Sequence, residues 1–157
     1  MIAMLFVKLS RRQAAAYAYT CERLQKTLNK ITSARKTLED VAASSLDKSF
    51  AKCVYLFASE SKQFENEIHA QLHSFNCRDL NRNAEEIKDN HVVPFSATGM
   101  GFICNYLEEN YIQSYRQLLK DKYLSSSLKS LIKNQLQSFL SSLAQLRLFN
   151  EVKASIN

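Results

Sequence analysis

Five polar side chains stand in or beside the apolar seams of this chain. Glu60 and Gln63, a carboxylate and an amide one turn apart, share a face of a long helical run. Glu108 and Gln135 fall in line with the seams of two later helices, and Arg35 takes a seam position in the first. Acids, amides and a cation turned toward a helical interior can do one of two things. They can hold a cation, or they can neutralise one another, because an unpaired buried charge destabilises a core strongly.

Other groups carry less. Glu65, His69 and His73 recur every four residues and stack on one helix face, a spacing at which two imidazoles can bind zinc. No third ligand stands nearby and the face flanks the seam, so this stripe reads as solvated. His91 is alone in a loop. Cys21, Cys53, Cys77 and Cys104 are widely spaced with no Cys-x-x-Cys pair. Neither a zinc site nor a disulfide framework is expected, and four reduced thiols in a cytoplasmic protein are. Tyr17, Tyr19, Tyr106, Tyr111 and Tyr115 read as packing residues with a polar tip. The chain has 2 Gly, separated by Met100, so loops that cradle phosphate are excluded.

The elements that position these residues must be few and long. With 157 residues, 2 Gly and 1 Pro, the chain has little punctuation, and its Leu, Ala, Lys, Gln and Glu favour helices in one domain. Apolar residues alternating at four and three predict four of them. The first runs over 10–43 with the seam Tyr17, Cys21, Leu24, Leu28, Ile31, Arg35, Leu38 and Ala42. The second covers 47–75, after N-capping side chains at Ser44, Ser45 and Asp47, with the seam Phe50, Val54, Phe57, Ser61, Phe64, Ile68, Leu72 and Phe75. Periodicity then fades over 76–97, where Pro94 stands and 85–88 offers one short helical turn. The third helix follows Gly101, with Cys104, Glu108, Tyr111, Tyr115 and Leu118 inward. Ser125, Ser126 and Ser127 cap the fourth, which reaches 152 along Leu128, Ile132, Gln135, Phe139, Ser142, Leu146 and Phe149. Short, long and short connections describe an all-α, antiparallel four-helix bundle with one long crossover between helices two and three.

Charge and hydropathy narrow the partners. Residues 1–52 carry 10 Lys/Arg against 4 Asp/Glu, which is the whole net charge of +6. These charges are spread around a helix with no aromatic or Gly-rich reading surface, so a solvated face is expected and nucleic acid is not. The apolar start, residues 1–7, is too short to span a bilayer. Residues 1–24 read as an N-terminal helical extension whose apolar side chains need cover, which makes a homo-oligomer, such as a dimer, the expected assembly.

The stretch Ala58-Ser-Glu-Ser-Lys-Gln-Phe-Glu-Asn-Glu-Ile68 resembles the second-helix motif of a bacterial ferritin-like family of unknown function. Leu107-Glu108-Glu109, Tyr115 and Leu124-Ser-Ser-Ser-Leu-Lys-Ser-Leu-Ile-Lys-Asn-Gln135 follow the same pattern in order, so the likeness spans about 28–152. It implies a ferritin-like bundle over 25–157. In such bundles inward carboxylates on all four helices, with Glu-x-x-His on two, hold two irons. The resemblance places Glu60 and Glu108 at the second- and third-helix carboxylates, Gln63 where a ligand His would stand, and Gln135 facing inward. Arg35 falls at the first-helix carboxylate. A cation there opposes a metal pair and favours Glu60 and Glu108 as its partners. The implied protein is a non-catalytic bundle without cofactor, its di-metal site turned into a polar core, with a structural or interaction role. The alternatives are an iron-binding or iron-oxidising protein that uses Glu60, Gln63 and Glu108, and an adaptor that presents 76–97 to a protein partner.

Overall fold

The computed structural model describes residues 11–74, 77 and 99–156, and every element among them is a helix. These are α1 (Arg11–Ser44), α2 (Lys48–Ser74), α3 (Met100–Leu107), a π-helical turn (Glu108–Ile112), α4 (Gln113–Leu119) and α5 (Ser126–Ile156). The segment α3–π–α4 is one uninterrupted helical rod, so four long helices make the fold. The expected loop over 76–97 (Cys77 apart), the expected helical turn at 85–88, His91 and the apolar start 1–7 lie outside the described residues. No described helix is long and apolar enough to cross a membrane. α1 passes residue 24 without a break, so the N-terminal extension from 11 onward is about its first four turns.

Local chemistry sets the helix ends. Asp47 Oδ1 accepts the N–H groups of Ser49 and Phe50 at 3.0 and 3.1 Å, which starts α2 three residues after α1 stops. Ser125 Oγ accepts the Leu128 N–H at 3.3 Å and starts α5. At the end of α2 the Cys77 N–H reaches back to the Leu72 carbonyl at 3.1 Å, the six-to-one closure that terminates many helices.

Cross-helix contacts fix the directions. Thr32 meets Glu65, so α1 and α2 are antiparallel, and Tyr111 meets Ile31 while Gln117 meets Arg23, so α1 opposes the α3–π–α4 rod. Glu60 meets Ser138 and Ser142 while Glu67 meets Gln135, so α5 opposes α2; Tyr115–Gln135 and Glu108–Arg147 make it oppose the rod as well. It follows that α2 and the rod run in the same direction, and that the end of α2 and the start of α3 lie at opposite ends of the bundle.

The core is aliphatic around an aromatic centre. Leu24, Leu28, Ile31 and Leu38 of α1 meet Val54, Phe57 and Ile68 of α2, Leu107 and Leu118 of the rod, and Leu128 and Ile132 of α5, all at most 2% exposed. Phe139 is stacked on Phe57 at 5.0 Å and meets Phe64, Tyr111 and Tyr115 edge-on at 4.9, 5.0 and 5.4 Å. Edge-to-face pairs at such distances add roughly 0.5–1.5 kcal/mol each beyond area burial.

The seams differ from expectation by one residue at five places. Ala34 and Val41 are buried where Arg35 and Ala42 were expected, Glu65 where Phe64 was, Leu107 where Glu108 was, and Leu143 where Ser142 was. Each pair shares a broad inward face, and the wider helix face of a globular bundle admits either neighbour. In the rod the π turn inserts one extra residue, so Leu107, Tyr111 and Tyr115 face inward at consecutive spacings of four. Asn110 Nδ2 donates to the Tyr106 carbonyl at 2.9 Å and Ser114 Oγ to the Asn110 carbonyl at 2.7 Å, satisfying backbone acceptors at the turn.

The expectation of four reduced thiols is corrected. Cys21 and Cys77 are joined in a disulfide, with Cα atoms 5.7 Å apart, while Cys53 and Cys104 are free. The antiparallel α1–α2 hairpin brings the two together across 56 residues of sequence, a pairing that no local spacing announces.

Candidate functional site

A buried carboxylate outside the expected set anchors the largest polar network. Glu65, on α2, is 5% exposed and sits four residues after Ser61 and three before Ile68, on the face that meets α1. Its Oε1 accepts the Thr32 hydroxyl at 2.6 Å. Its Oε2 accepts Arg35 Nε at 2.7 Å and Ser61 Oγ at 3.3 Å. Arg35 donates its Nη1 to Glu39 one turn on, at 2.8 Å, so the guanidinium bridges a buried and a half-exposed acid.

The network continues into the rod. Ser61 Oγ lies 2.9 Å from Tyr111 Oη, which lies 3.2 Å from the Ile31 carbonyl. Two hydroxyl protons serve three contacts here. Ser61 reaches both Glu65 and Tyr111, and Tyr111 donates to the Ile31 carbonyl, so the acid is tied through Ser61 to the π turn. Three of the four long helices therefore meet through Thr32, Arg35, Ser61, Glu65 and Tyr111.

Electrostatics agree with the geometry. Burial alone would lower the Arg35 pKa, but its hydrogen bonds and charge attraction to Glu65 and Glu39 reverse this and raise it. Burial pushes the Tyr111 phenol far above the ordinary tyrosine range, a rise that the bond from Ser61 only moderates, with the Glu65 charge adding to it. The network thus holds one guanidinium cation and one protonated phenol around Glu65.

A second, smaller cluster lies one turn away. Tyr115 donates to Gln135 Oε1 at 2.8 Å, and Gln135 Nε2 donates to Glu67 Oε2 at 2.8 Å and to the Phe64 carbonyl at 3.5 Å. Gln135 is 2% exposed and Tyr115 fully buried, and burial raises the Tyr115 pKa well above its ordinary value.

The five residues singled out in the sequence are separated in the fold. Arg35 and Gln135 do reach the interior, but in different clusters. Glu60 lies at the α2–α5 edge and accepts Ser138 and Ser142 at 2.5 and 2.8 Å. Glu108 faces Arg147 at 3.3 Å and Arg116 at 3.5 Å near the surface, and Gln63 is exposed, reaching only Glu67 at 3.4 Å. Arg35 contacts neither Glu60 nor Glu108; its acids are Glu65 and Glu39. Of the Glu65, His69 and His73 stripe, both imidazoles are exposed while Glu65 turns inward.

A di-iron pair does not fit these donors. Two cations in a dry core need several converging anionic oxygens. Among the described residues no three His, Cys, Asp or Glu side chains converge to hold a metal. Both oxygens of Glu65 are engaged by protein donors, one of them a guanidinium.

The chain matches no family model, no curated protein and no solved structure.

Proposed function

We propose that the chain is a non-catalytic, ferritin-like four-helix bundle whose interior position for a metal pair has become a polar core, and that it serves a structural or interaction role. The single observation that carries this reading is the guanidinium of Arg35 at 2.7 Å from the buried carboxylate of Glu65. The shared direction of α2 and the α3–π–α4 rod supports the ferritin-like connectivity, since a connection between two such helices must travel the length of the bundle. A homo-oligomer belongs to the same proposal: α5 exposes Leu148, Val152 and Ile156 at intervals of four, 58–80% exposed, as an apolar stripe suited to association. A cytoplasmic location has the Cys21–Cys77 bond against it, because disulfides persist in oxidising compartments and are rare in a reducing cytosol.

The test is metal content. Purified protein is incubated with ferrous iron under anaerobic conditions, dialysed and assayed for metal. The proposal expects no retained iron. Two irons per chain, lost in Glu60→Ala or Glu108→Ala, would instead establish the iron-binding alternative.

A further inference from the structure

We infer that the Cys21–Cys77 disulfide is a redox-sensitive staple that decides whether the first turns of α1 stay packed on the bundle. Burial along α1 begins at Cys21 and continues to Val41; between 11 and 20 only Ala16 and Thr20 are even half-buried. Beneath the staple the packing is incomplete. An apolar cavity of about 230 Å³ opens there, lined by Ala16, Tyr17, Cys21, Leu24, Tyr123 and Leu128. An end with few buried side chains and an unfilled cavity has low local stability, so it is the part of a fold that opens first. The covalent tie to the end of α2 stands at the boundary between this end and the well-packed core.

The geometry also makes the bond addressable. Cys77 is held by its own N–H bond to the Leu72 carbonyl, which keeps its sulfur at the end of α2 facing α1. Cys77 is half-buried whereas Cys21 is 7% exposed, so Cys77 is the more accessible residue of the pair and the one we assign to attack by a thiolate from solvent. A dithiol reductant attacks Cys77 Sγ, the S–S bond breaks and Cys21 leaves as the thiolate. The second thiol of the reductant then attacks the mixed disulfide and releases Cys77. The reductant becomes a disulfide, and two electrons and two protons end on Cys21 and Cys77. Cys53 and Cys104 remain thiols throughout.

The experiment compares the full chain, refolded in air, with the same protein reduced by dithiothreitol, using thiol alkylation after denaturation and backbone hydrogen exchange read by mass spectrometry. The oxidised chain is expected to expose two alkylatable thiols and the reduced chain four. In the reduced chain, peptides within 11–24 are expected to exchange at least about tenfold faster than in the oxidised chain and well ahead of those within 126–146, which open only with the whole fold. Cys77→Ser is expected to exchange fast at 11–24 in both conditions. Four thiols in the air-refolded chain would overturn the inference. So would equal exchange of 11–24 in the two states, or a reduced chain in which 11–24 and 126–146 are equally protected, since both would then open only with the whole fold.

Discussion

Arg35 Nε and Glu65 Oε2 lie 2.7 Å apart between α1 and α2, with side chains 14% and 6% exposed. At this depth a charge left alone is costly, whereas the pair itself contributes modestly. Arg35→Leu is therefore expected to lower the free energy of unfolding by about 3 kcal/mol, because Glu65 loses its cation while Thr32 and Ser61 remain. Urea unfolding at neutral pH reads this directly, and an unchanged midpoint would mean that the carboxylate is satisfied without Arg35.

The two buried phenols make a pH prediction. Tyr111 and Tyr115 have pKa values raised above the ordinary tyrosine value near 10 by burial. The folded state therefore holds these protons more tightly than the unfolded state. The resulting stability is fully present below about pH 10 and is lost as pH rises beyond it, since only the unfolded chain then releases the protons. Phenolate absorbance of the folded protein at about pH 11 should fall at least two short of the 7 tyrosines, with the missing signal appearing on alkaline unfolding.

Phe139 of α5 joins α2 and the α3–π–α4 rod through one ring. Its removal leaves Phe57, Phe64, Tyr111 and Tyr115 without their common partner. Phe139→Ala is expected to cost about 3–5 kcal/mol, at the level of the largest core truncations, when measured by urea or thermal unfolding.

The disulfide closes a loop of 56 residues around the α1–α2 hairpin. In the chain-entropy account such a cross-link stabilises by about 4 kcal/mol through the unfolded state. Cys77→Ser should lower the thermal midpoint relative to the air-oxidised protein and leave it insensitive to dithiothreitol.

The helices were legible because their apolar periodicity is strong and their caps are chemically explicit. Asp47 and Ser125 end the connections before α2 and α5; both ends of α1 and α2 and the starts of α3 and α5 fall within about two residues of their expected positions, while α5 runs on to Ile156 where 152 was expected. The polar core was legible only in part. Arg35 was visible as a cation on an apolar face, but its partner was not. Phe64 and Glu65 are equally compatible with a seam through Ser61 and Ile68, and hydrophobicity selects Phe64. The deciding fact is tertiary: Thr32 and Arg35 of α1 lie opposite Glu65. Glu108 was drawn inward by assuming regular α-helical spacing, which the π turn breaks. Residue pattern also could not reveal Cys21–Cys77, since that contact depends on the geometry of the α1–α2 hairpin. The signal for Glu65 was present all the same, as an acid at i+4 from Ser61 on a face that already carried an opposing Arg.

The central claim is that Arg35 and Glu65 form a coupled interior pair. A double-mutant cycle with Arg35→Met, Glu65→Leu and the combined variant measures it most directly, by urea unfolding at neutral pH. The account predicts that the double variant is destabilised by at least about 1.5 kcal/mol less than the sum of the singles. Additivity within about 0.5 kcal/mol would contradict it, because the two side chains would then contribute independently.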